Sequence, residues 1–586
     1  MGAPDTLTGR FLATVAGHGD LVALSDPFDD SRRWTYRQYA DEVARAAAGL
    51  EAIGVGKDTR VVLMTRNRAE FHIADTAALF LGATPFSVYN TAAPEEIAYA
   101  VQAAAASVAI VEDPEFLERF AAARAAVPAL EVVLIDPGTA ATDARHWADL
   151  MTAGQVDLEA YAARTAASDI ATVIFTSGTT GPAKAVAISH ANVCSTADAV
   201  VERTGLGGLA GMRMISYLPM AHIAERVTSH YAALLLGTSV SPCNDMLRFR
   251  EFTVAVQPNV VFGVPRVWEK LQQGVMAVAA ADPARAKALD DGINAALELV
   301  VAARHGTLTK DQQETWDFLD AVAFSVVREL TGLSDVTLAV TGAAPISPEL
   351  IDWFRALRVP LSEIYGMSES TGVITWDPFD VKPGTVGRAL PGVEIRIGDD
   401  GEVLVRGPNV FPGYLDAPEA TAETLEGGWL HTGDIGVLDE EGYLRIVDRK
   451  KELIITAGGE NVSPANLEAA LATLPLVGQA CVVGDRQKFP AAIITLDPES
   501  ATTWAANHGR AGASLAELAV DPDVEAEIQR SIDDVNGRFT RSYQIKRFTI
   551  VPDEWLPNSD VLTPTFKIKR RGVAARYVEQ IAAMYT

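Results

Sequence analysis

Short apolar runs alternate with alanine-rich segments between Trp34 and about Asp136. The runs RVVLMT, TPFSVY, SVAIVE and EVVLID have the length of buried strands, and the intervening EVARAAAGLEAIG and HIADTAALFLGA have a helical period. Strands that alternate with helices pair in parallel, because each crossover helix returns the chain to the same end of the sheet. The sequence therefore predicts an α/β fold with a mostly parallel sheet.

The length of 586 residues exceeds one ordinary hydrophobic core, so we expect two domains. The large N-terminal domain is predicted over residues 1–448, with mostly parallel sheets flanked by helices. It closes with a β-rich subdomain after Pro391, where glycine turns separate short strands, as in VEIRIGDDGEVLVRG. Residues 449–586 mix strands such as QACVVGD with helices such as SPANLEAALATL, which predicts a small α+β domain.

A helical insertion is predicted at about 282–330, where two amphipathic helices would be joined near RHGTLTKD. We expect this pair to pack on the main body through its apolar positions rather than to bind a ligand. These positions are Leu289, Ile293, Leu297 and Val301 in the first helix, and Trp316, Leu319, Ala323, Val326 and Leu330 in the second.

The charge balance excludes one class of partner. Against 49 basic residues stand 76 acidic ones, and a net charge of -27 repels nucleic acid at long range. An anionic substrate must therefore be held by a local site. The three cysteines, Cys194, Cys243 and Cys481, have spacings that fit neither a zinc cluster nor a disulfide framework. With no apolar run near the roughly 20 residues that span a bilayer, these features predict a cytoplasmic protein.

The stretch IFTSGTTGPAKAVAISHAN, residues 174–192, has the composition of a phosphate-binding loop. Its backbone amides and hydroxyls can donate to phosphate oxygens, and its lysine adds a cation. A Walker loop needs glycine before the lysine and a hydroxyl residue after it, but Ala183 and Ala185 occupy these positions, which disfavours an ordinary P-loop NTPase. The candidate residues are Thr176, Ser177, Gly178, Thr179, Thr180, Gly181 and Lys184.

This loop resembles the phosphate loop of the adenylate-forming superfamily, which contains acyl-CoA synthetases, nonribosomal peptide adenylation domains and firefly-type luciferases. That family usually has glycine where Ala185 stands and often proline at Ala183. SYLPMAHIAERV, VVFGVPRVWEKL and LAVTGAAPISPEL follow in the family's order and are most similar to bacterial long-chain fatty acyl-CoA synthetases. The resemblance covers about Trp34 to Arg571. It implies that His222 lies between the acyl pocket and the nucleotide.

The segment EIYGMSESTG resembles the family's densest site motif. By this resemblance Tyr365 stacks on adenine, Ser368 binds the α-phosphate, and Glu369 binds Mg²⁺ through a hard oxygen. Gly366 belongs to the same nucleotide-binding motif. The family generally has threonine at position 368, and serine keeps the hydroxyl.

Two further segments complete the predicted nucleotide site. Gly342, Ala343 and Ala344 form a loop of small residues that can lie flat against a purine. In GWLHTGDIG, Asp434 can accept hydrogen bonds from both ribose hydroxyls, because one carboxylate can accept two O–H donors at once. Arg449 in VDRKKELII resembles the arginine that assists at the ribose.

The C-terminal domain carries the residues that the resemblance assigns to the reaction itself. In LTPTFKIKR, Lys567 aligns with the family's catalytic lysine, and Lys569 is the alternative. Lys451 matches the hinge about which the small domain rotates. Gly458 and Gly459 in TAGGEN match the segment that lines the tunnel for the pantetheine arm of coenzyme A.

The resemblance implies a long-chain fatty acid-CoA ligase with catalytic residues Lys567, Glu369, Lys184 and His222. The substrates would be a fatty acid, ATP with Mg²⁺, and coenzyme A, with transient association at a membrane surface. Three alternatives stay open: an acyl-AMP ligase that delivers to a carrier protein, a luciferase-like oxygenase, and a non-catalytic nucleotide or lipid binder. The joint presence of the motif residues argues against the last, since mere binding would tolerate their loss.

Overall fold

The computed structural model describes residues 5–138, 143–176, 183–556, 559–563 and 567–586 of the chain. Strands form where β-branched and other apolar residues occur in short runs, because such side chains pack well on a pleated surface. In chain order the strands are β1 (Val22–Asp26), β2 (Asp29–Thr35), β3 (Arg60–Met64), β4 (Thr84–Ser87), β5 (Val108–Val111), β6 (Glu131–Leu134), β7 (Arg145–His146), β8 (Ile170–Thr176), β9 (Lys184–Ser189), β10 (Arg213–Ser216), β11 (Ser239–Pro242), β12 (Val260–Gly263), β13 (Leu338–Thr341), β14 (Leu361–Tyr365), β15 (Thr375–Trp376), β16 (Glu394–Ile397), β17 (Glu402–Arg406), β18 (Gly413–Tyr414), β19 (Leu430–Leu438), β20 (Leu444–Arg449), β21 (Ile454–Ile455), β22 (Asn461–Val462), β23 (Val477–Val483), β24 (Ala491–Leu496) and β25 (Arg547–Val551).

Many helices begin at a polar residue that caps the free amides of the first turn. Before the longest helix, for example, the Asp282 carboxylate accepts a hydrogen bond from the Ala284 amide, and Pro283 stands where no N–H is needed. Across the described residues, every helix is too short or too polar to cross a bilayer. The helices are α1 (Leu7–His18), α2 (Tyr36–Ala52), α3 (Ala69–Phe80), α4 (Pro94–Ala103), α5 (Pro114–Arg119), α6 (Ala121–Ala126), α7 (Trp147–Leu150), α8 (Leu158–Ala162), α9 (His190–Thr204), α10 (Ile223–Glu225), α11 (Ala232–Leu236), α12 (Phe249–Val256), α13 (Pro265–Ala280), α14 (Pro283–Arg304), α15 (Lys310–Leu319), α16 (Ser325–Thr331), α17 (Pro348–Ala356), α18 (Pro418–Thr424), α19 (Pro464–Ala472), α20 (Pro498–Asn507), α21 (Leu515–Leu518), α22 (Pro522–Asn536), α23 (Arg570–Arg576) and α24 (Val578–Ala583).

The largest sheet has eight strands in the order β15-β14-β13-β12-β10-β11-β1-β2. All neighbours in its interior are parallel, and only the edge strands β15 and β2 pair antiparallel. The register places Phe262 beside Val340 and Val340 beside Ser362. Because the inner strands are parallel, the loops after β10, β12, β13 and β14 emerge at one edge of the sheet.

A second, five-stranded sheet has the order β4-β3-β5-β6-β7 and is parallel throughout. The strands β3 to β6 coincide with the four apolar runs of the sequence, and α3 and α4 follow β3 and β4 as crossovers. Val62, Ile110 and Val133 in these strands are fully buried. The predicted α/β fold is therefore confirmed.

The region after Pro391 is an antiparallel sheet of four strands in the order β16-β17-β19-β20. Its two hairpins coincide with the two segments that the sequence marks by glycine turns. A separate antiparallel sheet, β18-β9-β8, joins the short strand β18 to the hairpin on which the predicted phosphate loop lies. The β-rich subdomain is thus confirmed.

The helical insertion at 282–330 is present as α14, α15 and α16, but part of its predicted apolar face is wrong. Ile293 is buried, whereas Val301, Val326 and Leu330 are exposed, and Val300 is buried instead of Val301. A strict four-residue repeat drifts by about 40° per step around a helix of 3.6 residues per turn. The second stripe is also interrupted by a π-turn at Asp320–Phe324, whose extra residue rotates the following positions away from the body.

The C-terminal part has a three-stranded sheet, β23-β24-β25, with β24 antiparallel to β23 and parallel to β25. Leu467 of α19 and Ile528 of α22 belong to a hydrophobic core of its own. The core of the preceding part reaches Leu444, and this second core begins at Ile454. The predicted domain boundary between 448 and 449 and the hinge at Lys451 fall in this interval and stay predictions.

Ion pairs hold the C-terminal part against the large N-terminal part. Arg266 and Lys270 of α13 both contact the carboxylate of Asp497, at 2.8 and 2.7 Å, and the Asp497 side chain is buried. Arg538 lies 3.1 Å from Glu349 at the start of α17. These contacts connect the two parts in the orientation described, and a large cavity lies between them.

Candidate functional site

A cavity of about 1580 Å³ lies between the C-terminal part and the edge of the eight-stranded sheet where the inner parallel strands end. Ligands of open α/β sheets commonly bind at this edge, because the loops after the strands converge there. Residues of both parts of the protein line the cavity. Among the predicted site residues, those that line it are Thr176, His222, Ala343, Ala344, Tyr365, Gly366, Ser368, Asp434, Arg449, Lys451 and Lys567.

The turn after β13 offers a wall without large side chains. A Cβ atom at Gly342 would lie 2.7 Å from Ile364 Cγ2, so no other residue fits there without movement. Ala343 has a φ of 70°, a left-handed conformation that is uncommon for alanine and makes the turn tight. Gly366 is equally constrained, since a Cβ atom would lie 2.3 Å from the carbonyl oxygen of Gly372. The predicted flat surface for a planar ring is thus compatible with the backbone.

Tyr365, Asp434 and Arg449 form a connected group at the cavity wall. The Tyr365 hydroxyl donates to Asp434 Oδ2 at 2.6 Å, and Arg449 Nε lies 3.4 Å from Asp434 Oδ1. Asp434 and Arg449 lie opposite each other in β19 and β20, so the sheet sets their separation. Burial raises the pKa of Asp434, and the Arg449 charge opposes this shift. The carboxylate is therefore held in one orientation beside the tyrosine ring.

Lys567 lies in the same cavity and is half-buried. Its backbone is anchored by a reciprocal pair, since its amide donates to Thr563 Oγ1 at 2.9 Å and its carbonyl accepts from the Thr563 amide at 2.8 Å. Burial is the main cause that lowers the pKa of Lys567 to about 8, and the positive charge of Arg449 is the second cause. The negative charge of Asp434 opposes the shift. The ammonium thus enters the space that the predicted nucleotide residues surround.

His222 lies close enough to Lys567 for their charges to interact. Burial is the main cause that lowers the pKa of His222 to about 3, and the positive charge of Lys567 is the second cause, so the ring is neutral. Its Nδ1 atom accepts a hydrogen bond from the Ala224 amide at 3.2 Å, where it caps α10. A neutral ring with Nδ1 as acceptor carries its proton on Nε2. His222 can therefore donate one hydrogen bond from Nε2.

The alternative lysine differs in its partners. Lys569 also lines the cavity, but its ammonium donates to the Ser559 carbonyl at 3.0 Å. An ammonium that already donates a hydrogen bond to a backbone carbonyl is less available to bind a substrate anion. This difference favours Lys567 as the residue that meets the reacting groups.

Glu369 and Lys184 lie beside the cavity and share a neighbour that sequence reasoning missed. Tyr414 donates from its hydroxyl to Glu369 Oε1 at 2.8 Å, and Lys184 Nζ lies 4.5 Å from the centroid of its ring. No spacing in GYLDAPEA marks this tyrosine, because its role depends on the pairing of β18 with β9. A single buried carboxylate fits Mg²⁺, which binds through few protein ligands together with phosphates and water. The structure has no cluster of three or more potential metal ligands among its described residues.

The centre of the predicted phosphate loop, with Ser177, Gly178, Thr179, Thr180 and Gly181, lies outside the described residues. Its two flanks are described. Thr176 at the end of β8 pairs with Lys184 at the start of β9, so an antiparallel hairpin carries the loop. Because Thr176 lines the cavity, the hairpin ends at the site.

The predicted coenzyme A residues lie elsewhere. Gly458 and Gly459 are in the exposed turn between β21 and β22, where Gly459 has a φ of 81°. Neither belongs to the cavity wall in this orientation of the C-terminal part. A tunnel that includes these glycines therefore requires a different orientation.

Glu363 is a second cavity residue that sequence reasoning missed. Burial raises its pKa to about 8, although the Ile346 backbone opposes the shift, so its carboxyl group is largely protonated at neutral pH. It lies two residues before Tyr365 in β14. Nothing in the sequence of this strand distinguishes Glu363 from an ordinary strand residue.

Comparisons with known proteins agree along almost the whole chain. The family model described as "AMP-binding enzyme" matches residues 11–415, and that of the "AMP-binding enzyme C-terminal domain" matches residues 451–586. The chain is 35% identical to the long-chain-fatty-acid-CoA ligase FadD15 of Mycobacterium tuberculosis over 557 residues, which are 94% of this chain and 92% of the relative. It is 31% identical to the long-chain-fatty-acid-CoA ligase ACSBG2 of Xenopus laevis, with coverage of 99% and 84%.

Solved structures share the fold at low sequence identity. The anthranilate CoA ligase AuaEII in complex with anthranoyl-AMP has a TM-score of 0.75 at 21% identity, and the alignment covers 100% of this chain and 99% of the other. ATP-bound MatB from Rhodopseudomonas palustris has a TM-score of 0.70 at 22% identity, with coverage of 98% and 99%. The arrangement of a large α/β part and a smaller C-terminal part is therefore common to this chain and these proteins.

Proposed function

Because the chain belongs to the AMP-binding enzyme family, we propose that it is a long-chain fatty acid-CoA ligase. A fatty acid and ATP would first give acyl-AMP and pyrophosphate, and coenzyme A would then convert acyl-AMP to acyl-CoA and AMP. The observation that carries this proposal is the convergence of Lys567, His222, Asp434 and Arg449 on one cavity shared by the two parts of the protein.

The acyl chain would occupy the apolar side of the cavity next to His222. Ile223, Val227, Phe262 and Val373 are among the apolar residues that line the cavity. An apolar wall removes methylene groups from water, and each buried CH₂ contributes about 0.8 kcal/mol. The long-chain assignment rests on this wall and on relatives that are named for long-chain fatty acids.

The first half-reaction brings two anions together. A carboxylate oxygen attacks the α-phosphorus, the bond to the bridging oxygen breaks, and pyrophosphate leaves with the electron pair. Lys567 would lie between the carboxylate and the α-phosphate and would offset their repulsion, and His222 would donate from Nε2 to the same region. Asp434 would hold the ribose and Tyr365 the adenine. Glu369 would hold Mg²⁺, which supplies positive charge to the phosphates when bound.

The second half-reaction needs the space that Lys567 occupies. The C-terminal part would rotate about Lys451, so that Lys567 leaves the cavity and the turn with Gly458 and Gly459 approaches it. The thiolate sulfur of coenzyme A would attack the acyl carbonyl, and AMP would leave. The ion pairs of Asp497 with Arg266 and Lys270 would have to separate during this rotation.

The proposal is tested by incubating the purified protein with ATP, Mg²⁺ and palmitate, with and without coenzyme A, and separating acyl-AMP from acyl-CoA. We expect thioester only when coenzyme A is present. Accumulation of adenylate without thioester would indicate a carrier protein as acceptor. If neither product forms with fatty acids of any chain length, the ligase proposal is wrong.

The lowered pKa of Lys567 predicts a pH dependence of the first half-reaction. Lysine is charged below its pKa, so kcat/KM for ATP should be constant at lower pH and fall as pH rises through about 8. A lysine with its ordinary pKa of about 10.4 would place this fall well above pH 9. The measurement is ATP-pyrophosphate exchange without coenzyme A, so that the thiol does not contribute. The variant Lys569→Ala should keep the same falling limb, and a rate that stays flat to pH 9.5 would contradict the prediction.

A further inference from the structure

Strand β18 attaches Tyr414 to the strand on which the phosphate-loop lysine lies. Gly413 pairs with Ala187 and Tyr414 with Val186 in β9, and the next residue continues the contact, since the Leu415 amide donates to the Ala185 carbonyl at 2.8 Å. Lys184 is the first residue of β9. The position of the tyrosine is therefore set by the same backbone that positions the lysine.

Tyr414 also reaches the predicted metal ligand. Its hydroxyl donates to Glu369 Oε1 at 2.8 Å, and the backbone of the same segment adds a second tie, because the Phe411 amide donates to the Glu369 carbonyl at 2.8 Å. Among the residues that the structure describes, Tyr414 is the one that donates a hydrogen bond to the Glu369 carboxylate. One carboxylate oxygen is thus occupied by a neutral donor, and Oε2 can face a cation.

The tyrosine ring acts on the lysine at the same time. Lys184 Nζ lies 4.5 Å from the ring centroid, within the range of a cation-π interaction. Such an interaction restrains a long, flexible side chain without neutralising it. One side chain therefore orients an anion through its hydroxyl and a cation through its ring, and both belong to the predicted ATP site.

We propose that Tyr414 is a positioning residue that couples the metal-binding carboxylate to the phosphate-binding lysine. Through its hydroxyl it orients Glu369 for Mg²⁺, and through its ring it directs Lys184 toward the phosphates of the same nucleotide. This inference rests on the proposed function. It predicts that the gain in ATP affinity caused by Mg²⁺ depends on the Tyr414 hydroxyl.

The test compares ATP binding by calorimetry in excess EDTA and in excess Mg²⁺, which requires no turnover. Tyr414→Phe removes the hydroxyl and keeps the ring beneath Lys184. The loss of one hydrogen bond to a charged group typically changes a binding constant by about tenfold. The ratio of ATP affinity in Mg²⁺ to ATP affinity in EDTA should therefore fall by about tenfold. Affinity in EDTA should not change, because Lys184 keeps its contact.

Tyr414→Leu removes both contacts and should lower ATP affinity in EDTA as well. The matched control is Tyr161→Phe, which removes a hydroxyl that donates to Glu51 and leaves both affinities unchanged. Equal losses with and without Mg²⁺ in Tyr414→Phe, or no loss in either, would overturn the coupling. The proposed function is judged separately by ATP-pyrophosphate exchange of the unsubstituted protein, so a failure of one is not mistaken for a failure of the other.

Discussion

Replacing Lys567 with alanine should lower the rate of acyl-adenylate formation by at least about a hundredfold, the usual cost of removing one donor aimed at developing charge. Lys567 lines the cavity together with Asp434, Arg449 and His222, and the Arg449 guanidinium is already paired with the Asp434 carboxylate at 3.4 Å. The measurement is ATP-pyrophosphate exchange with palmitate. The matched variant Lys569→Ala should change this rate by less than about threefold, because its ammonium serves the Ser559 carbonyl.

Measuring the second half-reaction alone distinguishes a loss of catalysis in Lys567→Ala from a folding defect. Preformed palmitoyl-AMP supplied with coenzyme A should be converted to thioester by Lys567→Ala at close to the normal rate, since the lysine would have left the cavity by then. Equal losses in both half-reactions would mean that the lysine supports the structure. A greater loss in Lys569→Ala would mean that the catalytic role belongs to Lys569.

Replacing Lys451 with proline should have the opposite pattern. Proline fixes φ near −65° and restricts the residue before it, so a rotation about this position is blocked. The substitution removes no hydrogen bond of the described residues, because the Lys451 amide has no acceptor there. Adenylate formation should stay within about threefold of normal, while thioester formation falls by at least about a hundredfold.

Rapid quench of a single turnover measures both steps in Lys451→Pro, because adenylate should accumulate before any thioester appears. The control is Lys451→Ala, which removes the side chain and leaves the backbone free, and it should make thioester at a near-normal rate. If proline abolishes both half-reactions equally, position 451 is not the hinge. If it slows neither, the rotation occurs elsewhere between Leu444 and Ile454.

The sequence predicted those parts of the fold that follow from local patterning. The runs at β3 to β6 are apolar on both faces because the parallel sheet is covered on both sides, and such runs can be recognised without the structure. The helical insertion was recognised as well, but its buried face was not. A one-residue difference between Val300 and Val301 decides burial, and so does the π-turn at Asp320–Phe324. Neither follows from hydropathy alone.

The candidate site divides in the same way. Residues in dense motifs, such as Tyr365 and Asp434, were proposed from resemblance, and the structure brings them within hydrogen-bond distance. Tyr414 was missed because its contacts come from a strand of two residues that pairs across about 230 positions of sequence. Glu363 was missed because its unusual chemistry is caused by burial, which depends on what covers the strand. Long-range pairing and burial are properties of the assembled fold.

The shared cavity also bears on the survival of the intermediate. An acyl adenylate is a mixed anhydride, and water would destroy it at the expense of one ATP for each molecule lost. Ala465 and Glu468 of the C-terminal part line the same cavity as Tyr365, so this part supplies some of the wall around the place where the adenylate would form. If the C-terminal part moves only when Lys567 leaves the cavity and the thiol of coenzyme A enters it, the anhydride would be exposed to solvent for a short time. If the two parts rotate as proposed, the choice of the thiol over water as acceptor would depend on how soon this rotation follows adenylate formation.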